Sequence, residues 1–256
     1  MATMMFVGTA ANFLIPLYMQ IIQGRSSLQT SFSIIPYTLS IFIASTVVAR
    51  LYKTYSPPRL IARAGFVVVA AGLILLAFTI RGDWHQIFVV IGLITLGLGQ
   101  GAIVALVFNT LLTAAPKELA GDVGAWRGGL VHNMSGSVGI AVASVFAVGI
   151  LGSLVSSQLI DNPPTIPASL KVESGINLDQ VNFVPNDQLV VTLENTSATQ
   201  AQIDEAIRIN TEARLRALRT SLLVLAGLSL LAIIPAGRMP DEVPALEEPQ
   251  PTKGKK

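Results

Sequence analysis

Asn12, Gln20, Gln100, Asn109 and Asn133 all fall inside stretches of chain that are otherwise apolar for the width of a bilayer. An amide facing hydrocarbon costs free energy, so such a residue usually faces a bundle interior or a watery cavity. Two chemistries compete at each position. The amide contacts a polar part of a solute, or it makes an interhelical hydrogen bond worth about 1 kcal/mol. His132 is the titratable candidate at the start of the fifth apolar stretch, though an ordinary interfacial histidine is the favoured reading there. No Asp or Glu lies deep in any of the stretches, so no carboxylate proton carrier is evident at membrane depth.

Other chemistries are poorly supported. There is no HExxH, no nucleophile elbow and no carboxylate cluster, and the two histidines are His85 and His132, so neither an enzyme nor a cofactor or metal site is expected. The absence of cysteine excludes disulfides, thiolate metal sites and cysteine nucleophiles. Gly97-x-Gly99-x-Gly101 has the wrong spacing for a dinucleotide fingerprint and lies inside an apolar run; Gly97 and Gly101 read instead as a GxxxG step that lets helices approach. Gly136 with Gly139, and Gly149 with Gly152, read the same way as helix-packing glycines.

The elements that must position these residues are transmembrane helices. Of 256 residues 52% are hydrophobic and 12% charged, with a mean hydropathy of +0.62; soluble domains carry roughly 25% charged residues. Crossing about 30 Å of hydrocarbon takes roughly 20 apolar residues in a helix, which satisfies its own backbone hydrogen bonds. Six stretches qualify: Thr3 to Ile22, Phe32 to Ala49, Leu60 to Ile80, Ile87 to Leu111, Gly128 to Leu154 and Leu218 to Ala236. Arg63 and Arg219 enter them near an end, where a long side chain snorkels to the headgroups. Pro16 and Pro36 break the backbone ladder inside the first two. The expected fold is all-α and integral to the membrane, and the apolar start at Ala2 is a span rather than a signal peptide. A chain that begins inside its first span is expected to be part of a longer one.

Charge encodes the topology. The loop after the second span carries Arg50, Lys53, Arg59 and Arg63 without an acid, and the positive-inside rule makes it cytoplasmic, with both termini on that side. The basic residues are scattered among loops rather than gathered on one face, so no nucleic-acid partner is expected. Gly24-Arg25-Ser26-Ser27, Ser56-Pro57-Pro58 and Arg81-Gly82-Asp83 supply turns for helical hairpins, and Ala114 to Arg127 reads as a short surface helix or a solvated linker. Four units follow: residues 1–154 with five spans, an outer loop at 155–217, a sixth span at 218–237 and a disordered cytoplasmic tail at 238–256. Within the loop, Thr199 to Gln202 reads as a capping box opening an amphipathic helix. Ile203 and Ile207 form its stripe, Asp204/Arg208 and Glu212/Arg216 its ion pairs, and Val181 to Leu193 has some β character but too little for a sheet.

Leu14-Ile15-Pro16-Leu17-Tyr18-Met19-Gln20, with Gly24, Ser26 and Pro36, resembles the opening of the carboxy-terminal six-helix half of fourteen-span drug/proton antiporters in the major facilitator superfamily. Gly97-Leu98-Gly99, Ala115 to Gly121 and Gly136 to Ala141 are similar to the fourth and fifth helices of that half, and Arg50 to Arg63 to a degraded form of the superfamily's basic motif, lacking its Gly and Asp. The resemblance covers Thr3 to about Pro240. It implies export of small, often amphipathic compounds in exchange for protons, by rocking of two halves about a cavity in a bacterial inner membrane. It further implies that Asn12, Gln20, Tyr37, Gln100, Asn109 and Asn133 are cavity candidates, that a six-to-eight-helix amino-terminal half is the missing partner, and that the coupling carboxylates lie there. Two rivals stand beside it: a complete six-span transporter made of two copies, and a membrane protein that binds a partner through its outer loop.

Overall fold

Each turn of the chain between long helices is closed by its own local chemistry, as seen in a computed structural model that describes residues 2–51, 57–80, 87–114, 120–145, 186–195 and 198–239. Helix α1 (Ala2–Gln23) ends at Gly24, whose φ of 60° is the left-handed conformation glycine adopts most readily, and Arg25 N–H closes on Met19 O at 3.5 Å. Two residues later Ser26 and Gln29 cap α2 (Ser27–Leu51) reciprocally: Ser26 N–H donates to Gln29 Oε1 at 3.1 Å, and Gln29 N–H to Ser26 Oγ at 3.3 Å. Helix α3 (Pro58–Thr79) opens on Pro58, where a missing N–H costs nothing. Helix α4 (Ile87–Ala114) follows, then α5 (Ala120–Ala125), a π-helical stretch over Trp126–His132, and α-helix again through residues 133–145. The last elements are α6 (Asn186–Glu194), α7 (Gln200–Leu231) and α8 (Ile233–Ala236).

Among the described residues there is no strand, and five runs are long and apolar enough to cross a membrane: α1, α2, α3, α4 and the Gln200–Ala236 run. The protein is all-α and integral to the membrane. The expected span Gly128 to Leu154 is helical as far as residue 145; its remainder lies outside the described residues, as do Lys53, the Arg81 to Asp83 turn, His85, Gly149, Gly152, residues 155–185 and 240–256.

Helix α4 is the axis of the bundle, packed most extensively on α3 and α2. Its glycines divide the work by face. A Cβ on Gly97 would collide with the Tyr37 carbonyl and Ser40 of α2, and one on Gly101 with Ile41 and Ala44; one on Gly99 would meet Val69 of α3 at 2.6 Å. Backbone thus approaches backbone on both sides, the contact by which membrane helices associate without a hydrophobic driving force. Leu73, Leu76, Leu93, Leu96, Leu218 and Leu222 fill the interior between α3, α4 and α7. Helix α7 is locked to α3 by a Ser229 Oγ to Phe66 O hydrogen bond of 3.0 Å and by Arg219, which donates to Ile80 O at 3.1 Å. Arg219 therefore caps the carboxyl end of α3, where a helix dipole favours a cation. Arg63 likewise lies against Gly237 at the carboxyl end of α8.

The segment before the last span differs from expectation in its ion pairs and keeps the expected cap. Residues 186–194 of the stretch with β character are helical, because Val190 and Leu193 share one helix face and pack on Ile203, Ala206 and Ile207 of α7; burial outweighs the β propensity of the valines. Arg208 pairs with Glu205 at 2.5 Å and Glu212 at 2.9 Å rather than with Asp204, and Glu212 is thereby engaged by Arg208 rather than Arg216. Spacings of three and four residues are equally near on a helix, so rotamers decide between them. The capping box forms, with Thr199 N–H donating to Gln202 Oε1 at 2.9 Å, and α7 runs on without a break into the last span. The 37 residues of Gln200–Ala236 measure about 55 Å at 1.5 Å per residue, so several turns stand beyond about 30 Å of hydrocarbon.

Candidate functional site

Three helices bring one polar group each to a common point. Gly8 and Asn12 lie one turn apart on α1, Tyr37 follows Pro36 on α2, and Gln100 sits between the two glycine faces of α4. Tyr37 and Gln100 are each 5% exposed. The Tyr37 hydroxyl donates to Gln100 Oε1 at 2.5 Å, and the side chain of Asn12 approaches the same phenol. Gly8 leaves the space the Gln100 carboxamide fills: a Cβ there would stand 3.2 Å from Nε2. That Nε2 is buried and has no hydrogen-bond partner among the described residues. Asn12 itself is exposed. Pro16 has no N–H for the Asn12 carbonyl four residues back, so Asn12 offers a side-chain amide and a freed backbone acceptor together. The cluster therefore has an exposed face that accepts and donates hydrogen bonds, and a buried face with one donor unspent.

The remaining candidates stand apart from this group. Gln20 is exposed two turns further along α1 on the Asn12 side, the i, i+8 relation. Asn109 is half-buried, and its Nδ2 donates to Ala105 O of its own helix at 2.8 Å. Asn133 and His132 are both exposed where the π-helical stretch passes into residues 133–145. That segment meets α1 through Gly139, where a Cβ would lie 2.7 Å from Phe6 O and Thr9 Oγ1, and through Gly136, whose carbonyl is 3.3 Å from Thr9 Oγ1. Arg50 ends α2, and Arg59 and Arg63 occupy the first turns of α3. Cations at a helix amino terminus oppose its dipole by about 0.3–1 kcal/mol, so the latter two are not there for the helix.

Sequence reasoning missed one buried charge. Arg214 is 1% exposed, the largest of the fully buried side chains. Its Nε donates to Asn210 Oδ1 at 3.1 Å, Asn210 Nδ2 to Asn186 Oδ1 at 2.9 Å, and Asn186 Nδ2 to Thr211 Oγ1 at 3.0 Å, which ties α6 to α7 beside Tyr18 of α1. Ile203, Ala206, Asn210, Ala213 and Ala217 carry the buried stripe of α7 straight through this position, and that period was the available signal.

Helices long and apolar enough to span a bilayer, glycine-mediated packing and a buried polar group between them define an integral membrane helix bundle, and residues 1–143 match the family model described as Major Facilitator Superfamily. The chain belongs to that superfamily. It is 23% identical over 203 residues to a "Probable actinorhodin transporter" of Streptomyces coelicolor, covering 78% of this chain and 34% of the relative. It is 28% identical over 160 residues to a "Tetracycline resistance determinant" of Streptomyces rimosus, covering 60% of this chain and 45% of the relative. The chain thus spans between a third and a half of the length of these relatives.

Proposed function

We propose that this chain works as the carboxy-terminal half of a major-facilitator exporter, moving small organic or amphipathic compounds out of the cell in exchange for protons. The observation that carries the proposal is the Asn12, Tyr37 and Gln100 group, in which α1, α2 and α4 pool their polar side chains at membrane depth with Asn12 open to the outside of the bundle. The distribution of polarity over the surface supports it. Exposed amides lie on α1 and at the head of residues 133–145, and the exposed faces of α2, α3 and α7 carry large apolar side chains such as Phe42, Val67, Phe78, Leu230 and Leu231, as helices against lipid do. Asn12, Gln20, Tyr37, Gln100, Asn109 and Asn133 are then the cavity set, with His132 at its edge. The spans described contain no deep carboxylate, so the protons are coupled by a partner half. The printed names of the two relatives, one a transporter and one a resistance determinant, favour drug-like cargo. The basic residues Arg50, Lys53, Arg59 and Arg63 support a cytoplasmic position for their end of the bundle by the positive-inside rule, in what we take to be a bacterial inner membrane.

The test is efflux by an exporter that contains this chain as its second half. Asn12→Leu and Gln100→Leu lower efflux while membrane insertion is retained; undiminished efflux in both removes the cluster from the path. A cysteine introduced at Ser56 reacts only from the cytoplasmic face, and labelling from outside inverts the topology. If the chain alone exports and cross-links as a dimer in its membrane, two copies replace the two-half arrangement.

A further inference from the structure

An apolar cavity of about 250 Å³ opens between α1, residues 133–145 and α7, lined by Phe6, Leu14, Val142, Ala143, Val224 and Leu225 with their neighbours. It is separate from the polar group. Ser221 is the one polar side chain in its lining and its hydroxyl is buried, so the wall falls short of what a bound water requires. A water in a cavity needs two to four polar partners. Leaving the space empty would deprive the lining atoms of dispersion contacts on one side. The occupant is therefore apolar.

The rim says where it comes from. Val224 is 39% exposed and belongs to an outward stripe formed by Leu223, Val224, Leu230 and Leu231 of α7 and Ile234 of α8, every one apolar and exposed. The solvent at that mouth is hydrocarbon. Sites that enclose a drug-sized molecule run to roughly 300–1,000 Å³, so this one accepts a chain end and not a whole cargo molecule. We propose that the cleft holds an acyl chain of a bilayer lipid, which fills the gap between α1 and α7 as an integral part of the fold.

The experiment reconstitutes the protein in vesicles of phosphatidylglycerol and phosphatidylethanolamine, including a phospholipid with a photoreactive diazirine at the end of one acyl chain, and maps adducts by peptide mass spectrometry. Adducts at residues 221–228 and 142–143 exceed severalfold those on the flat exposed face of α3 at Val67, Ile74 and Phe78. Ala143→Leu, which fills the cleft, and Val224→Trp, which covers its mouth, each bring the excess down to the level of α3. Equal labelling of the two faces overturns the proposal, as does an excess that both substitutions leave unchanged. Should Ala143→Leu fail to insert, Val224→Trp, at an exposed position, decides alone.

Discussion

Replacing either partner of the Tyr37–Gln100 hydrogen bond should move stability in opposite directions. Gln100→Met keeps side-chain length and removes two polar atoms: Oε1, which accepts from Tyr37, and Nε2, which is buried without a partner. Losing an interhelical hydrogen bond in a membrane protein costs about 0.6 kcal/mol and at most about 1.7. Removing a buried unsatisfied donor returns about 1–3 kcal/mol. The Tyr37 hydroxyl is left beside Asn12, the other amide near it. The balance is a gain of about 1 kcal/mol, some fivefold in the folding constant. Tyr37→Phe instead leaves both ends of the Gln100 amide unpaired in a site that is 5% exposed, and loses about 1–3 kcal/mol. Introduced together, the two changes cost much less than Tyr37→Phe alone, because the amide that suffered is gone. Reversible unfolding by SDS in mixed micelles, followed by tryptophan fluorescence, measures all three. Equal losses of about 1–2 kcal/mol for both single substitutions, adding in the double, would mean that the Gln100 amide is fully satisfied in the folded protein. Within the proposed function, Gln100→Met also lowers efflux while raising stability, the trade expected where a polar group is kept for use.

Further outcomes follow from the same geometry. Gly97→Ala forces α4 away from the Tyr37 carbonyl and loses about 1–3 kcal/mol in the same titration, whereas Gly227→Ala, with nothing within 4 Å of the new methyl, gains about 0.5–1 kcal/mol from helix propensity. Arg214→Ala empties a fully buried site and strands Asn210 Oδ1, at a cost of about 3 kcal/mol; Arg216→Ala, on the exposed face of α7, stays within about 0.5 kcal/mol. Asn109→Leu reduces efflux less than Gln100→Leu, since the Asn109 amide already bonds Ala105 O of its own helix.

What was legible in the sequence is what local chemistry decides. A span needs only its own apolar residues to be recognised, and α1 to α4 lie within a few residues of where hydropathy and turn residues put them. The Gly24 turn and the Thr199–Gln202 cap each depend on residues no more than six apart. The Tyr37–Gln100 contact joins residues 63 apart, and no spacing rule reaches that far. Its members were identifiable as amides and a phenol at membrane depth, but their convergence depends on the rotation of α4 about its axis. Arg214 was hidden for a different reason: the stripe period assigns it to the interior while its charge assigns it to the surface, and the interior wins because Asn210, itself held by Asn186 of α6, accepts from its guanidinium there.

That rotation of α4 was itself encoded, in glycines. Gly97 and Gly101 turn one face to α2, and Gly92 and Gly99 turn another to α3, where their absent side chains admit Leu76 and Val69. Two such faces on one helix leave a single rotation that avoids collisions on both sides. Gln100 stands next to Gly99 and Gly101, so the same rotation carries its amide toward Gly8 and Tyr37. The polar group is thus held by packing on either side of it rather than by its one hydrogen bond. It follows that substitutions at Gly97 or Gly99 disturb the site more than the loss of the Tyr37 hydroxyl does.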